Sequence, residues 1–174
     1  MQNINLSPHF VLDEFTESAT ARKHGIVNTP PPEAVNNLKA LCWGNLEPLR
    51  EALQLPVVIT SGYRTKALNS LLAHASERSQ HMLGQAADFY VVQAPVSGSK
   101  FQVSGESRRE LLIKAFREIL QNPKIDYDQL ILYPTFIHVS YVSKERNRRG
   151  ILLARGDGKL GYGRITLANA LKIS

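Results

Sequence analysis

A chain of 174 residues, 43% hydrophobic and 21% charged, carries enough apolar mass for one domain with a real core. That composition excludes a disordered chain, and 11 Gly, 9 Pro and a single Cys exclude a collagenous or disulfide-built one. The net charge of +6 is uneven, with 13 basic and 13 acidic residues in 1–143 against 8 and 2 in 144–174. This describes a neutral body with a basic C-terminal end, not a uniformly basic nucleic-acid binder.

The longest stretch without Lys, Arg, Asp or Glu covers residues 129–143, 15 positions that include Pro134 and His138. A spanning helix needs about 20 apolar residues, so no membrane span is expected. The start, Met1-Gln2-Asn3-Ile4-Asn5, lacks the basic residue and apolar run of a secretory signal. The expectation is therefore a chain made in the cytoplasm and kept there unless something else releases it.

In chain order, residues 6–25 read as a short helical unit built on Phe10, Val11 and Phe15, with Gly25 as a stop. Asn28-Thr29-Pro30-Pro31-Pro32 is a rigid connector. From 33 to 53 the apolar residues Val35, Leu38, Leu41, Leu46, Leu49 and Leu53 fall at helical spacing, and Pro48 should bend or split the helix. Lone Cys42 in this stretch reads as a small buried hydrophobe. Residues 56–60 form a β-branched strand that ends at Ser61-Gly62-Tyr63-Arg64, and a short helix follows over 65–72. A buried strand is predicted at 86–92, a Ser- and Gly-rich loop at 95–105 and an amphipathic helix at 107–121. Strands at 130–132 and 136–141 precede a hairpin, 151–154 with 161–165, around Gly156-Asp157-Gly158. Helices first and strands later, without a βαβ rhythm, predict a single α+β domain.

Chemistry concentrates on two of the five histidines. His9, His24 and His74 have no acidic or histidine partner nearby in sequence and read as surface or helix-end residues. His81 is followed seven residues later by Asp88, with the small residues Gly84, Ala86 and Ala87 between them. Asp88 opens an otherwise apolar strand, where an unpaired charge is expensive, so it requires a cation or dense hydrogen bonding. Gly84 permits a tight path that brings the His81 ring back beside it. His138 lies in a strand whose alternation puts Ile137, Val139 and Tyr141 on one face and Phe136, His138 and Ser140 on the other. Alone it reads either as a satisfied core residue or as a ligand. Two imidazoles and one carboxylate with an open fourth position is the arrangement of a catalytic zinc site.

Residues 79–88 resemble the S-x-H-x-x-G-x-A-x-D signature of the zinc D-alanyl-D-alanine carboxypeptidases. That family includes dipeptidases and phage or prophage endolysin peptidases, and it shares its fold with the hedgehog signalling domain. Ser61-Gly62-Tyr63-Arg64 with Leu68-Asn69 is similar to the family's S-G-Y-R…L-N segment. Asp128-Gln129-Leu130-Ile131 and Ile137-His138-Val139-Ser140 resemble its late strands, and Asp13-Glu14-Phe15 with Ser18-Ala19-Thr20-Ala21 the start of small phage-type members. The resemblance covers residues 6–152. It implies an antiparallel sheet with helices packed on one side, and Zn2+ held by His81, Asp88 and His138. It places Arg64 beside the site, holding a substrate carboxylate or stabilising an oxyanion, as suits a planar guanidinium. Ser79, at the first motif position, would hydrogen-bond near the metal or substrate. The implied reaction is hydrolysis, by a zinc-activated water, of an amide next to a D-amino acid in the stem peptide of bacterial peptidoglycan. An enzyme of endolysin type would reach the wall after release.

One departure bears on activity. The family's peptidases carry a glutamate general base a few residues before the last histidine, and here that position falls on Leu132 or Tyr133. Three readings follow: Asp128 or another acid stands in, Tyr133 assists as a hydrogen-bond donor, or a zinc site survives in a module that binds wall peptide or a protein partner without cutting. The basic end has Arg146, Arg148, Arg149, Arg155 and Lys159 but Tyr162 alone for stacking, which disfavours nucleic acid. It reads as a solvated surface, with attraction to the anionic bacterial wall as the functional alternative.

Overall fold

Helices occupy the first third of the chain. The computed structural model describes residues 4–73, 75–93, 105–154 and 162–173, which leaves His74, positions 95–104 of the predicted 95–105 loop, Arg155, Lys159 and the Gly156-Asp157-Gly158 turn outside the described residues. The predicted 6–25 unit is two helices, α1 (Leu12–Thr16) and α2 (Ala19–Lys23). Ser18 divides them, because its hydroxyl accepts the Ala21 N–H at 3.2 Å and so caps α2 instead of continuing α1. Gly25 ends the unit at φ +64°. His24 sits at the C-terminal cap of α2, a helix-end histidine.

The predicted 33–53 helix does split before Pro48. α3 (Pro32–Leu41) runs into a π-helical segment (Cys42–Leu46) and then α4 (Glu47–Leu53). Pro48 stands in the first turn of α4, directly after the π-helical segment. Cys42 is fully buried, and burial pushes its thiol up to about 12, so it packs as a hydrophobe. His9 is exposed, as its surface reading predicts, and also has a distant partner. Its N–H and Nδ1 both meet the buried Glu47 carboxylate at 2.8 Å, a partner 38 residues away that no local pattern reveals.

Among the described residues six strands form one sheet in the order β1-β2-β4-β3-β5-β6: β1 (Val57–Ser61), β2 (Ala86–Val91), β3 (Gln129–Leu132), β4 (Ile137–Ser140), β5 (Gly150–Ala154) and β6 (Tyr162–Arg164). The remaining helices are α5 (Lys66–Leu71), α6 (Gly105–Gln121) and α7 (Leu167–Ala170). Ala87, Phe89, Val91, Leu130, Leu132, Ile137 and Val139 join one core with Leu38, Leu41, Leu49, Leu112, Phe116 and Ile119. Burying each large side chain of that core contributes about 1.5–3 kcal/mol. Strand alternation then leaves Asp88 and His138 on the opposite face, directly paired across β2 and β4.

The sheet is mixed, which corrects the antiparallel expectation: β3 and β5 run parallel, while the other pairings are antiparallel. The cause is the segment 141–149, which leaves β4 and crosses the start of β3 to reach its far side. Asp128, just before β3 and 1% exposed, anchors that crossing. Its Oδ1 accepts from the Arg148 N–H and Nε, each at 2.8 Å, its Oδ2 pairs with Arg148 Nη2, and its carbonyl accepts the Gly150 N–H at 2.9 Å. Asp126 likewise takes Asn147 Nδ2 at 2.9 Å and Arg149 Nε at 3.0 Å. Part of the basic C-terminal end is therefore committed to internal ion pairs. Among the described residues no helix is long and apolar enough to cross a membrane.

Burial alone would raise the Asp128 carboxyl, but the Arg148 and Gln80 hydrogen bonds outweigh it and hold the group below its ordinary value. A carboxyl lowered in the folded state adds stability that is complete above about pH 4 and is lost as pH falls through the folded value. Asp128→Asn should therefore lower stability by about 1–3 kcal/mol at neutral pH in urea unfolding, and by progressively less toward pH 3. A deficit that stays constant with pH would contradict this account.

Candidate metal centre

Three side chains from distant parts of the chain meet on the polar face of the sheet. A one-turn 3-10 helix (Gln80–Leu83) carries His81, β2 carries Asp88 and β4 carries His138. His138 Nδ1 lies 2.8 Å from Asp88 Oδ1, His81 Nε2 lies 3.4 Å from the same oxygen, and the two ring nitrogens are 3.3 Å apart. All three ligand atoms fall within 4.8 Å of one another, and no fourth Asp, Glu, His or Cys joins them among the described residues.

The local sequence explains the convergence. Gly84 ends the 3-10 turn at φ +69°, and a Cβ there would lie 2.3 Å from the Ala34 carbonyl oxygen of α3. Only glycine allows both the turn and the approach to α3. Ala86 and Ala87, fully buried, bring β2 in beside the turn without bulk. Gly62 is similarly constrained, since a Cβ would come within 2.6 Å of Phe15. The Gly62 carbonyl accepts from His81 Nδ1 at 2.7 Å, and the Arg64 N–H donates to the His81 carbonyl at 3.2 Å. A carbonyl can only accept, so Nδ1 carries the proton and Nε2 presents its lone pair to the centre.

Electrostatics fit the same picture. Burial lowers the His81 imidazole, toward the neutral form a metal ligand needs, while Asp88 opposes the shift. Burial would raise the Asp88 carboxyl, but the two histidines beside it outweigh that and hold it far below its usual range. The carboxylate is shared between two partners: Oδ1 faces the imidazoles and Oδ2 accepts from Arg64 Nη2 at 2.9 Å. Arg64 is fixed in turn by Ser61 Oγ, which accepts from Nε at 3.0 Å and from Nη2 at 2.8 Å. A register irregularity between Ile59 and Ser61 sets Ser61 opposite Asp88. Two imidazole nitrogens and one carboxylate oxygen aimed at one point form a donor set suited to zinc, with room in its chemistry for one further ligand.

The other predicted residues take different places. Ser79 precedes the 3-10 turn and holds it through its carbonyl, which accepts the Met82 N–H at 3.1 Å, with no side-chain cap. Asp128 stands outside the three-residue cluster, bound to Arg148 and Gln80. Leu132 points into the core at 1% exposure, so of the two positions where the family's glutamate could fall, this one cannot present a carboxylate to the site. Tyr133 closes the β3–β4 turn, donating its N–H to the Phe136 carbonyl at 3.0 Å, and its ring stacks on Phe136 at 4.2 Å. It lies within electrostatic reach of Arg64. Sequence reasoning missed Asn28, whose Nδ2 donates to the Thr16 and Tyr63 carbonyls, each at 2.9 Å, and whose Oδ1 accepts from the Thr65 N–H. Its position before three prolines was the available signal.

The family model described as Peptidase M15 matches residues 8–120, well over half of the chain. The chain belongs to the M15 family of zinc peptidases. The matched span of this M15 chain contains Arg64, His81 and Asp88 and stops before β3 and β4, so His138 joins the centre through the observed β2–β4 pairing. No curated protein matches the sequence.

Purified protein equilibrated with zinc should hold close to one equivalent by elemental analysis, and His81→Ala should hold none. Zinc retained by that variant would place the site elsewhere. Gly84→Ala should destabilise the fold by more than about 1 kcal/mol in thermal or urea unfolding, since strain at positive φ adds to the clash with Ala34.

Proposed function

We propose that this chain is a zinc metallopeptidase that hydrolyses peptide bonds in the stem peptides of bacterial peptidoglycan, of D-alanyl-D-alanine carboxypeptidase or endolysin type. The observation that carries the reading is the convergence of His81, Asp88 and His138 with Arg64 against the same carboxylate. A zinc ion held by these three residues would polarise the scissile carbonyl and let a coordinated water ionise near neutral pH.

The protein's own groups then have separable tasks. Arg64, clamped by Ser61 and Asp88, presents a preoriented guanidinium to a substrate carboxylate or to the charge that develops on the carbonyl oxygen. Tyr133, on the hairpin beside Arg64, donates a hydrogen bond to the reacting peptide. Ser79, half-buried at the entry to the metal turn, contacts the substrate.

A second reading is favoured by one observation: no acid joins the three-residue cluster among the described residues, and the glutamate position falls on core Leu132 or stacked Tyr133. A positioned general base is worth roughly 10²–10⁴-fold in rate. Without it the chain would be a zinc-bearing module that binds wall peptide or a protein partner.

Zinc-loaded protein incubated with purified peptidoglycan should generate new free amino groups or release D-alanine, and Arg64→Ala should slow this about a hundredfold. A protein that is silent beside an active control enzyme, yet binds the stem peptide in a zinc-dependent way, would replace the first reading with the second.

A further inference from the structure

The residue before the first imidazole is gripped by side chains from just before β3 and from the crossover that follows β4. Gln80 opens the 3-10 turn that bears His81, and its carbonyl accepts the Gln85 N–H at 3.0 Å, closing the loop around that turn. Both ends of its side-chain amide are engaged. Nε2 donates to Asp128 Oδ2 at 3.0 Å, and Oε1 accepts from Arg148 Nη2 at 3.3 Å.

Asp128 is buried to 1% exposure, and among the described residues the donors that meet its carboxylate come from Arg148 and Gln80. Losing a donor to a buried carboxylate is costly, so it holds both partners tightly, and the Arg148 fork fixes direction as well as distance. The His81 ring, by comparison, has one hydrogen bond outside the centre among the described residues, from Nδ1 to the Gly62 carbonyl. That bond orients the ring but leaves the backbone behind it to be set by the turn.

We infer that Gln80, Asp128 and Arg148 form a positioning lock that seats the His81 turn for metal binding, so that metal affinity depends on the crossover segment 141–149. The inference rests on the reading of His81 as a zinc ligand. None of the three touches the ligand atoms; they act through the backbone on which His81 is mounted. Part of the positive charge at the C-terminal end thereby gains a task that sequence alone did not suggest.

Gln80→Met keeps the length and bulk of the side chain and removes both hydrogen bonds, without the loss of the Asp128 anchor to the crossover. Competition with a chromophoric chelator should show its zinc dissociation constant raised about tenfold, within the range found when outer partners of metal ligands are lost. Arg148→Lys, which keeps the charge and loses the fork, should shift affinity in the same direction. In zinc-free protein, amide hydrogen exchange at Met82, Gly84 and Gln85 should speed up in Gln80→Met, while Leu112 and Phe116 in α6 stay as in the wild type. Zinc affinity and exchange both equal to wild type would overturn the lock while leaving the zinc site standing. Wild-type protein that takes up no zinc would overturn the site itself, and the lock with it.

Discussion

A carboxylate set into a buried strand has to be compensated on every side, and the compensation of Asp88 organises this molecule. One oxygen faces two imidazoles and the other faces a guanidinium, while its backbone carbonyl accepts from Thr60 Oγ1 at 3.0 Å. Each partner arrives from a different element: the 3-10 turn, β4, and the Gly62-Tyr63-Arg64 segment that follows β1. Removing any of these would leave the charge on β2 less fully compensated, so fold and site are a single electrostatic problem. A divalent cation held where the three lone pairs meet would complete that balance.

Much of the centre was legible because it is written in short-range patterns. His81 and Asp88 are seven residues apart, and the glycine and alanines between them meet steric requirements that the structure makes explicit at Gly84, Ala86 and Ala87. Alternation in β4 correctly separates His138 from Ile137 and Val139. What stayed hidden is non-local. The parallel pairing of β3 with β5 depends on Asp128 meeting Arg148 twenty residues later, and the His9–Glu47 pair spans 38 residues. The π-helical step ahead of Pro48 was also invisible, because the proline announces a break without specifying its form.

The hairpin between β3 and β4 is where this chain parts from the catalytic pattern it resembles. Strand register sends Leu132 into the core, where a carboxylate would be buried and unpaired. Tyr133 then sits at the turn, stacked on Phe136, with its backbone carbonyl accepting from Arg109 Nη1 at 3.2 Å. The hairpin is thus built for packing and aromatic stacking on one side and for presenting His138 on the other. An acid-dependent proton transfer is the one part of the expected chemistry for which this hairpin supplies no side chain.

The charge distribution also acquires a physical meaning. The neutral first 143 residues contain every side chain of the proposed centre, but Arg148 and Arg149 in the basic end neutralise Asp128 and Asp126 at the edge of β3. The central claim, that one zinc ion is held by His81, Asp88 and His138, is tested most directly by zinc-edge X-ray absorption spectroscopy on protein carrying one equivalent of metal. The account predicts a shell of nitrogen and oxygen at about 2.0–2.1 Å with outer scattering from two imidazoles. A sulfur shell at about 2.3 Å, or scattering from fewer than two imidazoles, would contradict it.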